Sequence, residues 1–209
     1  MNRKRVGFLK CGLLIGACIF GSSLAYGDLI LSIESVSASP GSSGDTFDVL
    51  LTDNGSPDVS VAGFNFTIQS SSPAITFTGV FTSTATAPYI FAGNSLLGPE
   101  IDEQLTPTVI AADLAASGST TLNSGEVVGL GQVFFNVSPT ATPGPYTVSF
   151  VTSGGTGDND LSDPTGANIP IATFTSGTIN ITSTPEPSSL LMFLAGTAAL
   201  AAWNRRRRA

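Results

Sequence analysis

From residue 28 to residue 183, apolar and polar side chains alternate with a period of two, interrupted by short runs of Gly, Pro, Asn, Asp and Ser. Successive side chains of a strand point to opposite faces, so this period selects half-buried β-strands over the 3.6-residue repeat of an amphipathic helix. Leu29, Leu31 and Ile33 share one face, as do Phe47, Val49 and Leu51. Ala62, Phe64, Phe66 and Ile68 point one way, and Gly63, Asn65, Thr67 and Gln69 the other. Ile75 with Phe77, Val109 with Ala111, Val133 with Phe135 and Val137, Tyr146 with Val148 and Phe150, and Ile179 with Ile181 continue the series. Turn chemistry separates them at Pro40-Gly41, Asn54-Gly55, Pro143-Gly144 and Asp163-Pro164. The pattern predicts an all-β fold, an antiparallel β-sandwich of jelly-roll type with about 8–9 strands. Residues 88–98 are less regular and are expected as a short helix or a long loop.

Charge is segregated along the chain. Arg3, Lys4, Arg5 and Lys10 open it, and Arg205, Arg206, Arg207 and Arg208 close it. Between Cys11 and Asn204 there is no cationic residue and no His, while all 15 acidic residues lie there. Such a body cannot neutralise phosphates, which argues against nucleic-acid partners. Without His, Cys or Lys it cannot build a Ser-His-Asp triad, a thiolate nucleophile, a Ser-Lys dyad, a Schiff base or a typical zinc site. Carboxylate chemistry remains, and its nearest cluster is Glu100, Asp102 and Glu103. A glycosidase needs two carboxylates opposed across a cleft, which one short run does not supply, so the cluster reads as a solvated loop. No enzymatic activity is expected.

The N-terminal 25 residues read as a signal peptide: a basic MNRKRVGFLK, an apolar run, then small Ser23 and Ala25 before a cut between Ala25 and Tyr26. A competing reading takes Ile15-Gly16-Ala17-Cys18 as a lipobox with Cys18 as a lipidated terminus. Cys11 and Cys18 are the two cysteines, so removal of this segment leaves no disulfide framework. The body then spans 26–183, and a tail spans 184–209. Residues 188–203 carry no charge. At about 1.5 Å per residue they cover about 24 Å, short of the roughly 30 Å hydrocarbon core, so they make a marginal transmembrane helix. Trp203 stands at the expected interface, and the arginines stay cytoplasmic, which leaves the body outside.

Pro185-Glu186-Pro187, Ser188, an apolar stretch containing Gly196 and the terminal Arg cluster resemble the PEP-CTERM sorting signal. Thr184 stands where that family often has Val. The resemblance implies that exosortase, a membrane-embedded cysteine protease, cuts the tail and releases the body or transfers it to the cell surface or extracellular polymer. It makes Pro185, Glu186, Pro187 and the four arginines processing determinants. The prolines keep the motif extended and out of the helix, as a protease substrate requires. Two body segments, SVSASPGSSGDTFDVLLTDNGSPDVSVAGFNFTIQS and GEVVGLGQVFFNVSPTATPGPYTVSF, resemble cohesin-type domains. That resemblance implies a sandwich of the carbohydrate-binding and scaffold type with no catalysis.

Asp158, Asn159, Asp160 and Asp163 offer hard oxygen ligands on a Gly-rich loop and are the candidate calcium ligands. Ile169 occupies the place of an EF-hand's closing Glu, and Asx-turn chemistry accounts for the same residues. No other cofactor is expected. Glycan binding needs exposed aromatics; Tyr89, beside Phe91, is the candidate stacker, while Tyr146 lies on an apolar stripe and is expected in the core. The function expected is an exported, non-enzymatic surface or extracellular-matrix protein. Its partners are the export machinery, an exosortase-type protease, the inner membrane through the tail before processing, and an extracellular polysaccharide or surface protein. The alternative is a secreted glycan-binding or cohesin-like protein-binding module.

Overall fold

The computed structural model describes residues 28–105, 107–152 and 159–182, with residues 100–105 as backbone. The signal segment with Cys18, Ala25 and Tyr26, and the tail with its expected transmembrane helix, lie outside the described residues. Within them the chain forms strands and turns and no helix. In order these are β1 (Leu29–Ile33), β2 (Val36–Ala38), β3 (Ser43–Asp53), β4 (Val59–Val61), β5 (Gly63–Ser70), β6 (Ile75–Phe81), β7 (Glu100–Leu105) and β8 (Thr108–Leu114). There follow β9 (Thr120–Leu122), β10 (Val127–Val137), β11 (Gly144–Phe150), β12 (Asn159–Ser162), β13 (Asn168–Ile169), β14 (Thr173–Thr175) and β15 (Gly177–Ile181).

One sheet runs β14-β1-β3-β10-β6. The other runs β13-β12-β5-β11-β15-β2, with β8 along the opposite edge of β5 and β7 beyond β8. A two-stranded ribbon, β4-β9, stands apart from both. Every stripe read from the alternation is a strand, but the strands outnumber the stripes. Both end segments change sheets, β1 handing over to β2 and β14 to β15. The other added strands, β4, β7, β9, β12 and β13, lie outside the stripes read from the alternation.

The same handover corrects the expectation of a wholly antiparallel sandwich. β1 pairs parallel to β14, with Leu31 opposite Phe174, and β15 pairs parallel to β2, with Asn180 opposite Ser37. The two end segments run side by side in one direction and cross between sheets together. At the crossing Gly177 lies against the β1–β2 turn; a Cβ there would stand 2.6 Å from the Glu34 carbonyl oxygen and 2.8 Å from that of Ile33. Only glycine fits so close an approach of backbone to backbone.

The core fills the space between the sheets. Phe47, Phe77 and Phe135 of the first sheet form an aromatic group, with ring centroids 6.0 Å and 5.7 Å from that of Phe47. Phe64, Phe66 and Ile68 of β5 face them from the second sheet and are buried. Each such side chain contributes about 1.5–3 kcal/mol by leaving water, so a body without cysteines needs no disulfide to fold.

Candidate docking groove

The irregular stretch between β6 and β7 builds the site. Residues 82–98 form turns held by two buried carboxylates rather than a helix. Asp48, on β3, accepts the N–H groups of Ala85 and Thr86 at 2.8 and 2.9 Å, the Thr86 hydroxyl at 2.9 Å and the Gln132 amide at 3.1 Å. Asp113, on β8, accepts the Tyr89 hydroxyl, the Ser95 hydroxyl at 2.7 Å and the Leu114 N–H at 2.8 Å. Backbone bonds between Ile90 and Gly129 and between Gly129 and Pro88, at 2.9 and 2.8 Å, fix the segment to β10. Tyr89 thus joins the two sheets: its backbone bridges β10 and its hydroxyl reaches β8.

This placement overturns the reading of Tyr89 as an exposed stacking platform. It is 7 % exposed, and Phe91 is fully buried against Phe64 with centroids 5.7 Å apart. The run Tyr89-Ile90-Phe91 gives up alternation because all three side chains enter the core. Burial first, then the hydrogen bond and charge of Asp113, push the Tyr89 hydroxyl far above the usual tyrosine range. Tyr146 is half-buried at the core margin, and its hydroxyl donates to the Thr142 carbonyl at 2.9 Å. Among the described residues the exposed aromatics are Phe81, 56 % exposed with half-buried Phe134 edge-on at 5.1 Å, and Phe174, 38 % exposed.

With its start anchored inside, the segment leaves Leu96 and Leu97 outside, 55 % and 75 % exposed. They overhang the outer face of β5, β8 and β12 and wall a groove of about 410 Å³. Leu114, 54 % exposed, forms part of the groove beside Gly63, its cross-strand partner. A Cβ at Gly63 would stand 2.5 Å from Leu114 Cδ2, so this glycine makes room for the leucine. Asp160 and Ser162 of β12 border the far side. Sequence reasoning missed this groove. Its signals were the adjacent leucines Leu96 and Leu97 in a Gly- and Pro-rich segment and the outward stripe of Ile110, Ala112 and Leu114 on β8.

The expected calcium ligands are divided. Asp158 lies outside the described residues. Asn159 and Asp160 point to opposite faces of β12; Asn159 Oδ1 accepts the Thr67 N–H at 2.9 Å, and its amide donates to the Val151 carbonyl at 2.6 Å. Asp163 Oδ1 accepts the Thr165 hydroxyl and the N–H groups of Thr165 and Ala167 at 2.7–2.9 Å. These bonds, that of the Thr165 hydroxyl foremost, hold its pKa below the usual carboxylate value. Glu100 and Glu103 lie on edge strand β7 rather than in the expected loop, opposite Ala112 and Ile110, and Asp102 falls at the register shift between them, because pairing with β8 extends the sheet.

The described residues thus form an all-β sandwich with a groove on one sheet face. Residues 183–208 match the PEP-CTERM protein-sorting motif, which marks the chain as exported and sorted by exosortase to the cell surface or extracellular matrix. No curated protein matches the chain in sequence. Among solved structures, the domain is similar to the sixth cohesin of scaffoldin B from Acetivibrio cellulolyticus, in complex with a Cel5 dockerin, at 19 % identity and a TM-score of 0.55, covering 74 % of this chain and 99 % of that one. It is similar to a seventh type I cohesin from Pseudobacteroides cellulosolvens at 15 % identity and a TM-score of 0.55, covering 76 % and 95 %. A Clostridium thermocellum type I cohesin–dockerin complex matches at 15 % and 0.54, covering 74 % and 99 %. The fold is cohesin-like, and at these identities the likeness concerns the fold alone.

Proposed function

We propose that the protein is a non-enzymatic binding module, delivered to the cell surface or matrix when an exosortase-type protease removes its tail, and that it seats a partner protein on the groove walled by Leu96, Leu97 and Leu114. The carrying observation is the clustering of three exposed leucines around one concavity, on a body whose charged residues are all acidic. Contiguous exposed apolar surface rimmed by polar groups is the usual mark of an interaction site. Two of the similar cohesins are in complex with a dockerin, which favours a protein occupant over a small molecule. Asp160 at the rim favours a partner that brings apolar side chains flanked by Lys or Arg.

The test is fractionation of cells making the wild-type chain or Leu97→Asp/Leu114→Asp, with mass spectrometry of the termini. Both chains are expected to lose the residues after the Pro185-Glu186-Pro187 motif. The double variant is expected to keep its melting temperature but pass from the surface into the medium. Retention of the variant at wild-type level would reject the groove, and recovery of surface protein with residues 188–209 attached would reject the processing.

A further inference from the structure

Asp48, Asp53 and Asp113 are all buried, in a body that holds no cationic side chain. Two of them are saturated by neutral donors, as described above. Asp53 is not: it is 0 % exposed, Oδ1 accepts only the Gly55 N–H at 2.9 Å, and Oδ2 is buried without a protein partner. A carboxylate oxygen buried without a donor is costly. The common remedy, a Lys or Arg partner, does not exist between residues 11 and 204.

We propose that Asp53 Oδ2 anchors a hard divalent cation of the calcium class at the end of the sandwich. Asp53 is the last residue of β3, on the inward face with Val49 and Leu51. Two turns are laced around it. The Asp53 N–H donates to the Glu126 carbonyl at 3.1 Å, and the Gly125 N–H to the Asp53 carbonyl at 2.6 Å. The Ser124 N–H donates to Asp58 Oδ1 at 3.1 Å, and the Asn54 N–H to the Asp28 carbonyl at 3.1 Å. Asp28, Asp58 and Glu126 therefore add negative charge on the same end. Among the described residues no three acidic side chains gather as a metal cluster. Asp53 thus supplies the anchoring charge, and backbone carbonyls of the turns and water complete the shell, an oxygen set that calcium accepts and zinc does not favour.

The exported protein, stripped with EDTA and desalted, is titrated with calcium by calorimetry and by thermal melting. One ion per chain is expected, with a rise in melting temperature of about 5 °C in saturating calcium. Asp53→Asn retains the Oδ1 acceptor for Gly55 but replaces Oδ2 with an amide; it is expected to abolish both signals and to melt near the calcium-free wild type. A wild-type protein indifferent to calcium would overturn the site, with water as the partner of Oδ2. So would a response that survives Asp53→Asn and vanishes in Asp158→Asn/Asp160→Asn. Should Asp53→Asn fail to fold, the wild-type titration still decides, and exposed Asp58→Asn is expected to weaken binding severalfold.

Discussion

A tyrosine whose hydroxyl rests on a buried carboxylate must keep its proton for the contact to hold. Tyr89 in the folded protein holds its proton more tightly than in the unfolded chain, where tyrosine titrates near pH ~10. Below that pH the contribution is fully present. Above it the folded state binds more protons than the unfolded one, so stability falls as pH rises. Tyr89→Phe is expected to lower stability by about 1–2 kcal/mol near pH 7, because Asp113 loses a donor, and to flatten the alkaline decline. Urea unfolding at neutral and at alkaline pH measures both; identical alkaline slopes in the two proteins would contradict the assignment. The sequence placed Tyr89 beside Phe91 in an irregular segment but carried no sign of Asp113. The two residues are 24 apart in sequence, and only the docking of the segment onto β8 joins them.

At the scale of elements, the stripes that became strands were legible because alternation is a local consequence of strand geometry. Sheet membership was not. Nothing in the sequence at Glu34-Ser35 or Ser176 marks the change of sheet, which depends on the two end segments running side by side. Gly177 is the point where that arrangement is most exposed to substitution. Gly177→Ala drives a methyl onto the carbonyls of Ile33 and Glu34, neither of which is a flexible side-chain end, and is expected to cost about 1–3 kcal/mol. Thr175→Ala, exposed on neighbouring β14, should stay within about 0.5 kcal/mol. Chemical denaturation of the pair separates the two; equal stabilities would mean that the crossing yields without strain. The groove has the same origin as the crossing: Leu96 and Leu97 lie outside because Tyr89, Ile90 and Phe91 occupy the inside.

At the scale of the whole molecule, the body's carboxylates have no side-chain cation to pair with, so its long-range electrostatics are repulsive. Sodium chloride shortens the screening length from about 30 Å at 0.01 M to about 8 Å at 0.15 M, and with no attractive ion pairs to weaken, added salt is expected to raise the melting temperature. A melting series in sodium chloride checks this, and a fall with salt would show attraction that the composition does not contain. The lack of side-chain cations also explains why the buried carboxylates Asp48 and Asp113 are met by neutral N–H and O–H groups. Neutral donors are the partners available within the domain, and where they run short, at Asp53, an ion from outside is the remaining complement.

The sequence by itself determined the strand-forming stripes, the sorting motif at the tail and the chemical poverty of the body, because each is written in the order or the type of neighbouring residues. The tertiary structure decided which stripes share a sheet, that Tyr89 is a buried tie between sheets, and that Leu96, Leu97 and Leu114 meet around one groove. Those outcomes depend on contacts between segments far apart in the chain, and a two-residue period says which way a side chain points but not what it will find there.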